Sequence, residues 1–194
     1  MSMKKIRILG LKKILIISLC ILCASCATTG TNQNGKFSGS SQELYEMGNR
    51  YARGTGVEKD YVKAISYYRQ SAAMGNSDAE DSLGVRYLLG QGVPQDYAQA
   101  RYWFEKSAAQ GNAYAENELG FMYAAGKGVP QDYATSLAWY QKAADHGLAD
   151  AQYNLGLMYL NGIGTPVDKE KARQLFKMAS DQGFAPARQS LQSL

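Results

Sequence analysis

From residue 42 onward the apolar residues fall at helical spacing, and the same spacing returns every 36 residues. Ala79, Leu83 and Tyr87 lie at i, i+4 and i+8, and Ala115, Leu119, Tyr123 and Ala151, Leu155, Tyr159 repeat the stripe. A stripe of this period predicts an amphipathic helix with its apolar face on a core. A second pattern follows each stripe: the small residues Ala64, Ala100, Ser136 and Ala172, then the bulky pairs Tyr67-Tyr68, Trp103-Phe104, Trp139-Tyr140 and Leu175-Phe176. Two helices per unit are predicted, small side chains of one facing large side chains of the other.

Between the helices stand residues that stop and restart a chain. Six columns persist through four units without insertion, among them Gly48, Gly84, Gly120, Gly156 and Asp60, Asp96, Asp132, Asp168. A Gly-x-Gly ends each first helix, and Pro94, Pro130 and Pro166 forbid its continuation. The recurrent aspartates are placed to accept from the free amides that open the second helix, about 1 kcal/mol each. Gly48 and its equivalents sit inside the first helix, where glycine costs roughly 0.5–1 kcal/mol against alanine. Close crossing of the partner helix is the expected reason.

Repetition at this period is the signature of a solenoid. The residues resemble the Sel-one-like repeat, a relative of the tetratricopeptide repeat: Ala-x-x-x-Leu-Gly-x-x-Tyr, Gly-x-Gly-Val, Asp-Tyr-x-x-Ala and Trp-Tyr-x-Lys-Ala-Ala, best seen in AENELGFMYAAGKGVPQDYATSLAWYQKAADHG. The resemblance implies an all-α, right-handed α-solenoid of antiparallel helix pairs, its first helices lining the concave side. The four 36-residue repeats span residues 43–78, 79–114, 115–150 and 151–186, followed by a capping helix at 187–194.

The first 41 residues are of another kind. Lys4, Lys5, Arg7, Lys12 and Lys13 precede an apolar run from Ile14 to Ala24, too short at ~1.5 Å per residue to cross a ~30 Å hydrocarbon core. Residues 1–25 therefore read as a secretory signal. Leu22-Cys23-Ala24-Ser25-Cys26 resembles the lipobox of bacterial lipoproteins, with Cys23 where Leu is usual, and implies cleavage before Cys26 and its lipidation. Acyl chains would then attach the protein to a membrane. Residues 26–41, rich in Gly, Ser, Thr and Asn, read as a flexible tether. By analogy with lipoprotein sorting, Ala27 after the cysteine favours the outer membrane of the cell envelope, facing the periplasm.

Removing the signal changes the charge. The 21 Lys plus Arg of the whole chain fall by five to 16, against 17 Asp plus Glu, a net charge of -1 in place of +4. The basic patch that nucleic acid requires is thus missing, and nucleic acid is excluded as a partner. The mature chain keeps Cys26 as its one cysteine, so no internal disulfide forms.

Little chemistry is offered. His146 is the single histidine, at the end of a second helix in the column Met74, Gln110, His146, Gln182, and reads as a solvated residue favourable to the helix dipole. No catalytic, metal or cofactor residue is assigned. Glu80, Asp81, Glu116 and Glu118 fall in first turns and read as solvated helix ends. Some relatives are linked to β-lactam hydrolysis or binding, but the one Ser-x-x-Lys, Ser2 to Lys5, lies in the signal. A hydrolase is the least favoured reading, and the chain is not expected to be an enzyme.

What remains is the side of the first helices facing away from the stripe. Glu46 and Asn49 lead a row that continues as Ser82, Val85, Leu89, then Glu118, Phe121 (with Ala125), then Asn154, Leu157, Asn161. Apolar anchors mixed with groups able to bond an extended backbone suit recognition of a peptide or protein surface. Alternatively, Val85, Phe121 and Leu157 simply pack between successive repeats. The expected function is a membrane-anchored scaffold or adaptor for a protein or peptide partner. The alternatives are a module binding peptidoglycan or another glycan, and an exported factor acting on host proteins.

Overall fold

The computed structural model describes residues 39–194, which form nine helices and no strand. The signal, Cys26 and most of the tether lie outside the described residues. Four pairs follow in order: α1 (Ser41–Arg53) with α2 (Tyr61–Ala73), α3 (Ser77–Leu89) with α4 (Tyr97–Ala108), α5 (Ala113–Ala125) with α6 (Tyr133–Asp145), and α7 (Ala149–Asn161) with α8 (Lys169–Asp181). A last helix, α9 (Ala185–Gln192), packs on α8. Each helix otherwise packs on the one before and the one after it, as a solenoid requires.

The caps form where the sequence places them. The carboxylates of Asp60, Asp96, Asp132 and Asp168 accept from backbone amides at the start of α2, α4, α6 and α8. Asn76 and Asn112 do the same for α3 and α5. The solenoid begins slightly earlier than residue 42: Ser40 caps α1 and exchanges hydrogen bonds with Glu43 in a reciprocal capping box. Glu43, the polar replacement in the first stripe, is thereby part of the helix start. Likewise the repeats begin two residues upstream of the expected register, at Ser77, Ala113 and Ala149, and the final helix at Ala185. At the far ends of α3 and α5, Gln95 and Gln131 donate side-chain amides to the free carbonyls of Leu88 and Ala124, 2.8 Å each.

Helix crossing explains the interior glycines. A Cβ on Gly84 would stand 2.5 Å from the Phe104 ring, and on Gly48, Gly120 and Gly156 it would meet Tyr68, Tyr140 and Phe176 at 2.5, 2.7 and 2.6 Å. The second residue of each bulky pair therefore lies on a bare helix backbone, and Phe104 and Phe176 are fully buried there. Packing between repeats uses another glycine. At Gly92 a Cβ would fall 2.7 Å from Tyr61, the first residue of α2 in the preceding repeat, and Gly128 meets Tyr97 in the same manner. The Gly-x-Gly thus does more than end a helix, since its second member seats the Tyr of the Asp-Tyr motif one repeat earlier.

The acids expected at solvated helix ends are a correction. Glu80 is 1 % exposed and Glu116 3 %. Glu80 pairs with Lys106 at 3.0 Å and accepts from the Gln110 amide at 2.7 Å; Glu116 meets His146 Nδ1 at 2.8 Å; Gln152 accepts from Gln182 at 2.9 Å. In these three columns the buried polar group of the first helix is held by the residue 30 positions on, at the end of its partner helix. His146 is consequently not a free solvated side chain, although half of it still reaches water. Buried polar groups left without such partners would each cost about 1–3 kcal/mol. Buried hydroxyls follow the same logic: Ser71 and Ser107 donate to the Ser41 and Ser77 carbonyls at 2.6 and 2.7 Å.

Candidate functional site

The outward sides of α3, α5 and α7 border an open cavity of about 450 Å³. Its apolar lining is Val85, Leu88, Leu89 and Phe121, its polar lining Asn117, Glu118 and Asn154, and Tyr140 of α6 completes it. Volume and composition lie within the range of sites that hold a ligand or a partner side chain. Leu89 is 54 % exposed, so an apolar side chain at the end of α3 stands in water beside the opening.

Five residues of the expected row meet here: Val85, Leu89, Glu118, Phe121 and Asn154. The others are drawn elsewhere. Asn49 accepts the Tyr68 hydroxyl at 2.8 Å, and Ser82 lies beside the same Tyr68. Glu46 is exposed and holds the Gln42 amide, and Asn161 returns its amide to the Leu157 carbonyl. Leu157 packs against the cluster of Ala172, Phe176, Ala179 and Ala187 and does not line the cavity. Val85 and Phe121 serve in both capacities, since each is half-buried against the core of its neighbourhood while lining the cavity.

Asn117, Leu88 and Tyr140 complete the site without having been expected in it. A signal for Tyr140 exists: its column reads Tyr68, Phe104, Tyr140, Phe176, and a hydroxyl in a core column needs a polar destination. Tyr68 finds Asn49, whereas the residue equivalent to Asn49 in the third repeat is Phe121. Asn117 belongs to the column of Asp81.

The polar groups are ordered among themselves. Asn154 donates its amide to Asn117 Oδ1 at 3.1 Å, and the Asn117 side chain lies beside the Glu118 carboxylate and favours its charged form. Burial, with a smaller contribution from the Asp150 charge, holds the Glu118 carboxyl above its ordinary range against that effect. On α3, Asp81 is pushed up to about 7, first by burial, then by the charges of Glu118 and Asp78, with Arg86 opposing. Its Oδ1 is buried without a hydrogen-bond partner. Burial and then the Glu118 charge also raise the Tyr140 phenol. This face is therefore rich in carboxylate, and no ion pair to Glu118 occurs among the described residues.

Comparison with known proteins decides the family. The Sel1 repeat matches residues 44–76, 77–112, 113–148 and 149–184. The chain belongs to the Sel1 repeat family. A solved Sel1 repeat protein from Oxalobacter formigenes is 33 % identical with a TM-score of 0.76, over 82 % of this chain and 64 % of that one. The protective antigen c5321 of uropathogenic Escherichia coli, which displays an SLR fold, is 37 % identical with a TM-score of 0.72, over 79 % of this chain and 33 % of the antigen. This Sel1 protein thus spans under two thirds of either relative. Cysteine-rich protein B of Helicobacter pylori shares the fold at 22 % identity and a TM-score of 0.56. Among curated proteins no significant match is found. Sel1 repeat proteins are generally protein–protein interaction scaffolds.

Proposed function

We propose that this Sel1 repeat protein is an adaptor that holds an extended peptide segment or a protein surface in the groove formed by α3, α5 and α7. The observation that carries the reading is the cavity itself, with exposed and half-buried apolar anchors around a pair of asparagine amides. Amides of this kind can pair with the free N–H and C=O groups of an extended chain, while Val85, Leu89 and Phe121 receive its side chains. A hot spot of this design needs few residues, because anchors at the centre of an interface carry most of its energy. The lipobox-like Cys26 and the tether after it support a membrane-anchored adaptor of the cell envelope, at the outer membrane, with the solenoid standing off the surface.

The test uses Leu89→Arg, which fills the opening with a long cation at a position that contributes little to the core. Expected is loss of partner binding with helicity and melting temperature unchanged. Retained binding would place the partner on another face. Leu89 is the better probe than Phe121 or Leu157, because replacing either of those by a charge would also damage packing between helices.

Glycan binding is the second reading. The same asparagine pair beside Tyr140 and Phe121 resembles the amide and aromatic equipment of sugar sites. Pelleting of the protein with purified sacculi, abolished by Leu89→Arg, would favour it over a protein partner.

A further inference from the structure

The chemistry of the cavity narrows what can occupy it, if the groove is the binding surface. Glu118 lies between two elements that both bring a carboxyl group towards it: Asp81 on α3, whose proton the Glu118 charge helps to hold, and Asp150 at the start of α7, whose charge Glu118 feels. Positive charge nearby is already engaged. The Arg86 guanidinium opposes the Asp81 charge but lies over the Tyr61 ring at 5.0 Å and gives Nη1 to Gln91. Lys127 sits over the Phe121 ring at 4.9 Å and over Tyr97 at 5.8 Å, at the edge of the groove. Neither forms an ion pair with Glu118 or Asp81 among the described residues.

Elsewhere in this solenoid a buried carboxylate has its counterpart: Glu80 has Lys106 and Gln110, and Glu116 has His146. Glu118 alone of these three first-helix glutamates faces a cavity instead. Asn117, itself held by Asn154, lies beside the carboxylate but supplies no charge. A carboxylate partly removed from water, short of a cation and bordered by apolar walls is the complement of a long basic side chain.

We infer that the partner inserts a lysine or arginine side chain between α3, α5 and α7, its aliphatic stem against Val85, Leu89 and Phe121 and its charged end on the Glu118 carboxylate. Long basic side chains bury their stems on apolar surface while keeping the head on a polar group, and this cavity offers both in that order. Arginine fits the site best, because its planar guanidinium can pair with both oxygens of the carboxylate. The selectivity is electrostatic: an acidic side chain in the same place would meet the fields of Glu118 and Asp150.

The experiment is selection of random twelve-residue displayed peptides on the full chain, on Leu89→Arg and on Glu118→Gln, followed by affinity measurement with the selected peptides synthesised individually. Glu118→Gln keeps the shape and the Asn117 contact, and circular dichroism and thermal melting confirm that each variant is folded. Expected is enrichment on the wild type of peptides with one Lys or Arg flanked by apolar residues, their binding lost on Leu89→Arg and weakened at least tenfold on Glu118→Gln. Replacing that one basic residue by norleucine in a selected peptide should weaken it to a similar degree on the wild type and hardly at all on Glu118→Gln. Peptides lost on Leu89→Arg but carrying no enriched basic residue, or indifferent to Glu118→Gln, would overturn the basic-side-chain inference and leave the groove standing. Peptides indifferent to Leu89→Arg, or no selected peptides at all, would overturn the groove and this inference with it.

Discussion

Replacing Gly84 by alanine tests the packing rule on which the repeat is built. The new Cβ would stand 2.5 and 2.6 Å from Phe104 Cε1 and Cδ1, about 1 Å inside the carbon–carbon optimum of about 3.5–4.0 Å. Phe104 is fully buried, so its ring can retreat only by displacing neighbours or by opening α3 from α4. Overpacking of this kind costs roughly 1–3 kcal/mol, while alanine inside a helix returns about 0.5–1 kcal/mol. The net expectation is destabilisation by about 1–2 kcal/mol, read by urea denaturation, or a Tm lower by roughly 2–8 °C at about 2–4 °C per kcal/mol. Phe104→Leu alone should also destabilise, but in the double variant the added methyl group occupies space the ring has left. The double-mutant cycle should then show a favourable coupling of about 1 kcal/mol or more. Gly147→Ala is the control: nothing lies within 4 Å of its Cβ, and its cost comes from a φ of +88°, so Phe104→Leu cannot rescue it. A neutral or stabilising Gly84→Ala, or strictly additive costs in the cycle, would refute the close-crossing account.

Three further expectations concern charge and anchoring. Asp81 holds its proton in the fold up to about pH 7 but loses it near 3.8 when unfolded, so its contribution makes stability fall as pH rises from about 4 to 7 and level off above. Asp81→Asn should therefore gain on the wild type across that window, by at most about 4 kcal/mol at ~1.36 kcal/mol per pH unit, and denaturation curves at pH 4 and 8 that differ equally for both proteins would contradict it. Glu80→Leu combined with Gln110→Met copies the residues of the first repeat, Leu44 and Met74, and should be neutral or stabilising, whereas Gln110→Ala with Glu80 kept should destabilise by about 1–2 kcal/mol. Cys26→Ser should move the protein from the membrane pellet to the soluble fraction and abolish incorporation of labelled fatty acid; an unchanged distribution would exclude the lipid anchor.

Features that depend on residues close in sequence, or on the 36-residue period, are legible in the chain itself. Asp96 before Tyr97 announces a cap, and Gly84 in phase with Phe104 announces a crossing. What escapes such a reading depends on partners a helix pair apart. Glu80 follows Asp78 and precedes Asp81 at a helix start, and its neighbours give no hint that Lys106 and Gln110 enclose it. Read down the column, the hint is there: Leu44, Glu80, Glu116 and Gln152 begin with an apolar residue, and their partners Met74, Gln110, His146 and Gln182 change with them.

The groove is half legible for a similar reason. Its period picks out Val85, Glu118 and Phe121, because equivalent positions in stacked helices must share a face. It cannot foresee that Asn49 is taken by Tyr68, or that Leu157 is covered near α9, because these are differences between repeats. Nor does it foresee the role of Tyr140, which enters the cavity from a second helix.

The central claim is that a partner lies in the groove of α3, α5 and α7, and site-specific photo-cross-linking in living cells tests it most directly. A photoreactive amino acid is placed at Leu89 beside the cavity or at Tyr102 on α4, which is 50 % exposed and outside it. Expected are one discrete cross-linked protein from position 89, none from position 102, and loss of the adduct when Glu118→Gln is added. Cross-linking from position 102 with none from position 89 would contradict it.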